Sequence, residues 1–399
     1  MREVLEIARR GRRNEHLSNK RMSKENTYKM VDLFAGCGGL SLGMEQAGFT
    51  PWFVNEIVDT FCNTYKRNHK LSDDHYYVGD INNLNTHIDE YQKYLSDITI
   101  VCGGPPCQGF SMANRQRILD DPRNQLYKAY LTFLKTVRPK FFVLENVKGM
   151  AHRIEDIKQN FKDYFGGEYK FEYQILKAQD FGVPQNRERF IMIGNCMGIE
   201  PSEIFKEIFK NKRDHFVLKD ALEGLPHLEA KKVKGVKYTE NAESGFTECD
   251  FVYPVTEFYH FINGEKEINK LYNHKNRYNN PRDIEIYRRL PQGANSLHPS
   301  IADIMPYKSR NGIFKDKYFK LDENQICKTI TSHMRFDCNM YIHPWEPRGL
   351  SPREAARIQT FPDDYVITGS QNIWYAQVGN AVPVKLAKAI GDGIMKFLR

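Results

Sequence analysis

Between Tyr28 and Ala47, an apolar run rich in β-branched and aromatic residues, Tyr28-Lys29-Met30-Val31-Asp32-Leu33-Phe34, breaks on Ala35-Gly36-Cys37-Gly38-Gly39. It resumes at helical spacing with Leu40, Met44 and Ala47. Strand, glycine turn and helix in that order predict a βα unit whose turn lets a ligand approach the backbone at a helix start. The glycines match neither the dinucleotide fingerprint nor a phosphate loop, and a plain tight turn explains them equally well. A second strand, Pro51 to Asn55, ends on Glu56, about 20 residues past the glycines, where nucleotide-binding sheets place a carboxylate on ribose hydroxyls. Gly79-Asp80-Ile81 repeats the arrangement after a third short strand. Either acid alone suits a solvated strand end. Together with the loop they point to an adenosine-bearing cofactor without phosphates.

The same rhythm continues. Strands are expected at 30–34, 51–55, 75–78, 98–102, 140–145, 172–177 and 190–194, with helices at 59–68, 124–137 and 154–165. Such alternation predicts an α/β fold with a mostly parallel sheet covered on both faces and a ligand site at the carboxyl edge. Near residue 200 the pattern changes, and nothing from 205 to 345 repeats it. Pro383 to Leu398, with Val384, Leu386, Ala387, Ile390 and Ile394 on one face, predicts a helix that returns to the first domain.

The strand-like run Asp97 to Val101 leads into Gly103-Gly104-Pro105-Pro106-Cys107-Gln108-Gly109-Phe110-Ser111. Proline has a fixed φ and no amide donor, so the pair stops the strand and presents the thiol that follows. A buried cysteine at a strand end is the plainer reading of that passage alone. Farther on, Arg187 and Arg189 stand two apart on an extended segment and face the same way; a solvated charge cluster is the alternative.

Taken in order, these blocks resemble the cytosine carbon-5 DNA methyltransferases of the bacterial restriction-modification type, over nearly the whole chain after residue 28. Asp32-Leu33-Phe34-Ala35-Gly36-Cys37-Gly38-Gly39-Leu40 resembles that family's S-adenosylmethionine loop, and Glu56 and Asp80 its ribose and adenine contacts. Pro106-Cys107 resembles the nucleophile motif, Glu145-Asn146-Val147 the acid motif, and Gln185-Asn186-Arg187-Glu188-Arg189 the arginine motif. Arg353-Glu354-Ala355-Ala356-Arg357 with Gln359-Thr360-Phe361-Pro362 resembles the late structural block. Gln377-Val378-Gly379-Asn380-Ala381-Val382-Pro383 resembles the closing cofactor block. The family usually carries an aromatic after the ribose acid, where this chain has Ile57.

The resemblance implies a Rossmann-like methyltransferase sheet with a second, smaller target-recognition domain, S-adenosylmethionine as cofactor and no metal. It implies that Asp32, Phe34, Ala35, Gly36, Gly38, Gly39, Leu40, Glu56, Ile57, Asp80, Ile81, Pro106, Asn380 and Ala381 hold the cofactor. Cys107, Glu145, Arg187 and Arg189 would be catalytic. Cytosine carbon 5 is a poor nucleophile, and a thiolate added at carbon 6 turns the ring into an enamine able to attack a methyl group. Charge then develops through ring nitrogen 3, which calls for a neighbouring carboxylic acid such as Glu145, with the arginines on the base carbonyl and ordering Glu145. A base inside a duplex must be flipped out, so a lid is expected. Gln108 to Gln125 suits one, with Gln108, Ser111, Arg115, Arg117 and Arg123 toward DNA.

The chain divides on this reading into a basic extension at 1–27, a catalytic domain at 28–204, a target-recognition domain at 205–345, a hinge and late structural block at 346–371, and a closing segment at 372–399. Two candidate recognition loops are Met305 to Lys320, with Arg310, and Thr331 to Asn339, with His333 and Arg335; arginine reads guanine edges, though phosphate contact is the commoner role. Residues 1–29 hold nine Arg or Lys against four Glu, which suits a nonspecific DNA tether or a solvated extension.

Composition sets the bounds. A chain of 399 residues with 41% apolar content supports two domains or one large one, and a formal charge of +8 agrees with a polyanionic partner. Eight scattered cysteines indicate reduced thiols in a cytoplasm. Cys327, His333, Cys338 and His343 match no zinc-finger spacing. With no apolar stretch of membrane-spanning length and no signal core, a soluble monomer in the bacterial cytoplasm or nucleoid, partnered by duplex DNA, is expected. Two other functions remain: a methyltransferase of tRNA cytosine from the same family, against which the long 205–345 insert speaks, and a DNA-binding regulator that has lost catalysis.

Overall fold

The computed structural model describes residues 27–106, 125–234, 240–241, 244–306 and 317–399. Seven strands form one sheet: β1 (Lys29–Leu33), β2 (Thr50–Glu56), β3 (Tyr76–Val78), β4 (Ile100–Gly103), β5 (Phe141–Val147), β6 (Lys170–Lys177) and β7 (Glu188–Asn195). Their order is β3-β2-β1-β4-β5-β7-β6, so the chain winds outward both ways from β1 and β4. The first five strands are parallel, and β7 runs antiparallel to both β5 and β6. The protein is thus α/β with a mostly parallel sheet.

Alternation along the strands builds two cores. Met30, Ile100, Phe141, Val143, Ile191 and Ile193 pack on one face, against helices α1 (Gly39–Ala47), α6 (Pro201–Phe209) and α9 (Val384–Met395). Val31, Val101, Phe142, Leu144, Phe190 and Met192 pack on the other, against α4 (Gln125–Val137) and α5 (Ile154–Phe165). Sheets buried on both faces need such continuous apolar strands. The closing helix does return to the first domain: at Gly43 of α1 an added Cβ would lie 2.4 Å from Ala387 of α9. Helix α6 packs on the same face, so the expected boundary at 204/205 falls inside it.

A third core gathers Leu218, Phe258, Ile330, Met334, Leu350, Ile358, Phe361, Tyr365, Trp374 and Val378. It joins the 205–345 region to α7 (Pro352–Ile358) and α8 (Gln371–Asn380), while β8 (Gly245–Asp250) and β9 (Lys270–Lys275) pair as an antiparallel hairpin. Helix α7 starts on a capping box, with Ser351 Oγ accepting from Glu354 N at 3.2 Å and Glu354 Oε2 accepting from Ser351 N at 2.6 Å. Arg353 donates from Nε to Tyr272 O at 2.8 Å and from Nη1 to Pro362 O at 3.0 Å. The segment expected as a hinge is therefore the buried joint of the two regions. Among the described residues no helix is long and apolar enough to cross a membrane.

Candidate active site

The parallel strands bring Leu33, Glu56, Gly103 and Val147 to one edge, and antiparallel β7 begins there. Register then sets the chemistry. Arg189 lies opposite Val147, which makes Glu145 its diagonal neighbour on the same face of the sheet. Arg189 Nε sits 2.9 Å from Glu145 Oε1, with side-chain exposures of 14% and 13%. A Cβ added at Gly104 would fall 2.8 Å from Glu145 Oε2, so the carboxylate lies directly over the loop three residues before Cys107. Beside it Asn146 Nδ2 donates to Pro105 O at 3.0 Å. The acid motif thus grips the loop up to Pro106, an exposed residue.

The two arginines, expected to act together, have different partners. Arg187 is 1% exposed. Its Nη1 donates to Ile330 O at 2.7 Å and its Nη2 to Ala381 O at 2.8 Å, and both reach Gly379 O at 3.3 Å. Burial, with Arg189 close by, works against its charge. Three carbonyls engage that end of the guanidinium, so Arg187 ties the second region to the closing block. Gln185 joins the same knot: Nε2 donates to Gln359 Oε1 at 2.8 Å, and Oε1 accepts from Ile330 N at 2.8 Å.

The glycine loop lies alongside. Phe34, Gly36 and Gly38 have φ of 57°, 57° and 87°, a left-handed path that glycine permits and Phe34 adopts under strain. Among the described residues nothing lies within 4 Å of a Cβ built on Gly36, so none of them covers the loop there. Glu56 closes its far side, accepting from Gly36 N at 2.7 Å and from Val58 N at 2.9 Å; burial raises its pKa. Ala35 donates to Asn55 O at 3.1 Å. A Cβ on Gly39 would lie 3.2 Å from Ala381 Cβ, which brings the closing block, with exposed Asn380, against the loop.

Open backbone at Gly36, a carboxylate at Glu56, an apolar face at Ile57 (63% exposed) and partly exposed Asp80 fit an adenosine bearing a sulfonium side chain. Asp80 also caps the helix α3 (Ile81–Thr86), its Oδ1 accepting from Asn82 N at 2.7 Å. Leu40, Ile81 and Asp32, expected to hold the cofactor, are buried. Leu40 and Ile81 turn their side chains into the two cores. Asp32 lies beneath it, 2% exposed, accepting from Ser41 Oγ at 2.5 Å; burial pushes its carboxyl up to about 7.

Arg335 is exposed on the turn Ser332–Arg335, its guanidinium 4.5 Å from the ring centre of Phe336, which is 62% exposed. Arg277 holds that turn, donating to Met334 O at 2.5 Å, Arg335 O at 3.2 Å and Asn372 Oδ1 at 3.0 Å. Cys107, Gln108, Ser111, Arg115, Arg117, Arg123 and Arg310 lie outside the described residues, as do the expected lid, the middle of the 305–320 loop and nearly all of the N-terminal extension. No group of three His, Cys, Asp or Glu able to hold a metal occurs among the described residues.

The profile of C-5 cytosine-specific DNA methylases matches residues 28–396. The chain belongs to that family. It is a DNA (cytosine-5-)-methyltransferase using S-adenosylmethionine. Over 380 residues it is 31% identical to the type II methyltransferase M1.HphI of Haemophilus parahaemolyticus, covering 92% of this chain and 86% of that one. Over 388 residues it is 32% identical to M.XorII of Xanthomonas oryzae pv. oryzae, with coverages of 92% and 85%. A crystal structure of a prophage-encoded E. coli protein, described as a DNA modification methyltransferase, superposes with a TM-score of 0.73 at 27% identity, covering 93% and 99%. For a DNA methylase, reading the sequence missed Ser41, Glu45, His69, Tyr365 and Arg277. These polar residues meet only across the fold, and no local spacing marks them.

Proposed function

We propose that this methylase modifies carbon 5 of a cytosine flipped out of duplex DNA at a specific sequence, through a covalent adduct with Cys107, as part of a restriction-modification system. The observation that carries the catalytic assignment is the Arg189–Glu145 pair, 2.9 Å apart at the edge where the Cys107 loop leaves β4. The Cys107 thiolate forms a bond to ring carbon 6 while Glu145 shares a proton with ring nitrogen 3, so the electron pair collects at carbon 5. S-adenosylmethionine supplies a methyl on a sulfonium, which leaves as a neutral thioether. Loss of the carbon 5 proton then expels the thiolate. Arg189 holds Glu145 and reaches the base carbonyl, and Arg187 acts as a positioning residue.

Burial raises other thiols and takes them out of contention: Cys37 to about 12, Cys62 and Cys338 to about 11. Residues 28–204 with the closing segment 372–399 carry the chemistry, and 205–345 reads the DNA, with Arg335 among its contacts. The enzyme acts as a monomer in the bacterial cytoplasm or nucleoid, where duplex DNA is found. The type II relatives support the restriction-modification role. The test is methyl transfer from labelled S-adenosylmethionine to duplex DNA and to tRNA, with wild type and Cys107→Ser. Label on DNA cytosine from wild type alone is expected; label on tRNA only, or equal activity in the serine variant, overturns the reading.

A further inference from the structure

We propose that Tyr365 and His69 form a latch beneath the glycine loop, holding it in the shape that receives S-adenosylmethionine. The Tyr365 hydroxyl donates to the carbonyl of Cys37, the residue between Gly36 and Gly38, across 328 positions of sequence. Having spent its one proton there, the hydroxyl accepts from His69 Nε2, which lies 3.0 Å away. The other ring nitrogen, Nδ1, pairs with Glu45 Oε1 on α1. The donors therefore run from His69 through Tyr365 to the loop, and Glu45 of α1 holds the ring from its other side.

Everything around this chain keeps it in register. The His69 ring stacks on Tyr65 with centroids 3.9 Å apart. Tyr65 donates to Ser41 Oγ at 2.7 Å, and Ser41 donates to Asp32 Oδ2 at 2.5 Å. Next to the latch, Asn68 binds both sides of Val366, accepting from its N–H and donating to its carbonyl at 2.8 Å each. A Cβ at Gly38 would fall 2.4 Å from His69 Nε2 and 2.8 Å from Tyr365 Oη, so the latch fills the volume that glycine leaves empty. His69 and Tyr365 are 4% and 3% exposed and sit under the loop, whose open side is at Gly36. They are positioning residues. They act by fixing the Cys37 carbonyl, and with it the direction of the amides on either side.

The test uses the full chain and equilibrium titration calorimetry with S-adenosylhomocysteine. Tyr365→Phe removes only the hydroxyl, and its Kd is expected to rise about tenfold, the equivalent of one lost buried hydrogen bond. KM for S-adenosylmethionine should rise alongside while kcat at saturation stays within about twofold, since the bound loop regains its shape. His69→Gln should weaken binding at least as much; if it does not fold, Tyr365→Phe decides alone. Tyr169→Phe is the control: that hydroxyl donates to Pro139 O at 2.6 Å from a buried ring just before β6, at the edge of the sheet opposite the loop, so only stability should fall. Wild-type Kd in Tyr365→Phe, or equal weakening in Tyr169→Phe, overturns the latch.

Discussion

The Arg189 guanidinium meets the Glu145 carboxylate at 2.9 Å because β7 inserts antiparallel beside β5 and sets the two residues diagonally on one face. A cationic partner beside the carboxylate fixes its orientation over the Gly104 loop, which is what a proton-sharing group at ring nitrogen 3 requires. Glu145→Gln is expected to cut single-turnover methyl transfer by roughly a hundredfold or more, the usual worth of a positioned acid, with S-adenosylhomocysteine affinity unchanged. Rapid-quench assays with saturating DNA measure it; a loss below about threefold in that same range contradicts the assigned role.

Arg187 predicts a different pattern. Its guanidinium serves the carbonyls of Ile330, Gly379 and Ala381. Arg187→Met leaves them without that donor and should cost about 3 kcal/mol of stability, as broken buried charge networks do. Urea midpoints measure it. Unchanged stability would show that the clamp is not needed for folding.

Of the fold, the strands were legible because glycine and proline punctuate short apolar runs: 51–55 was expected and Thr50–Glu56 found, 190–194 expected and Glu188–Asn195 found. Strand direction was not, since period-two patterning is the same forward and backward; only pairing shows that β7 is antiparallel. Helix α6 follows the same logic. Its apolar residues Ile204, Phe205 and Ile208 carry no label saying which core they join. The motif residues Glu56, Glu145 and Arg189 were readable from local sequence. Tyr365 and His69 were not, because Tyr365 lies 296 positions from His69 and 328 from Cys37 in sequence.

Stability should also respond to pH through the buried joint. His274 bonds Ser351 Oγ at 3.0 Å and Pro226 O at 2.8 Å, and burial pushes it down to about 4 from 6.5. Unfolded chains bind its proton first, so its contribution is full above about pH 6.5 and is lost as pH falls toward 4, on the order of 3 kcal/mol in all. The stability gap between wild type and His274→Gln should therefore narrow as pH falls through that window. Asp32, raised to about 7, works in the opposite direction, holding a proton in the fold and losing stability as pH rises from about 4. Urea titrations of wild type, His274→Gln and Asp32→Asn across the range separate the two; a His274 gap independent of pH contradicts the assignment.

On the DNA side, Arg335 stands exposed beside Phe336 on a turn that Arg277 braces against α8. If it meets a phosphate, Arg335→Ala should flatten the log-log salt slope of binding by about one unit at every sequence; if it reads a base, discrimination at one position should fall by about 1–3 kcal/mol. Binding to a set of single-substituted duplexes at several salt concentrations decides which. No change in either quantity removes Arg335 from the interface.

The central claim is that Cys107 adds to the base while the Arg189–Glu145 pair supports it. Duplex DNA carrying 5-fluorocytosine at the target, incubated with S-adenosylmethionine, blocks the loss of the carbon 5 substituent and strands the adduct. Denaturing electrophoresis and mass mapping should find a protein–DNA species attached at Cys107 with wild type and none with Cys107→Ser. A wild-type enzyme that methylates ordinary target DNA yet forms no such species, or one linked through another residue, would contradict the account.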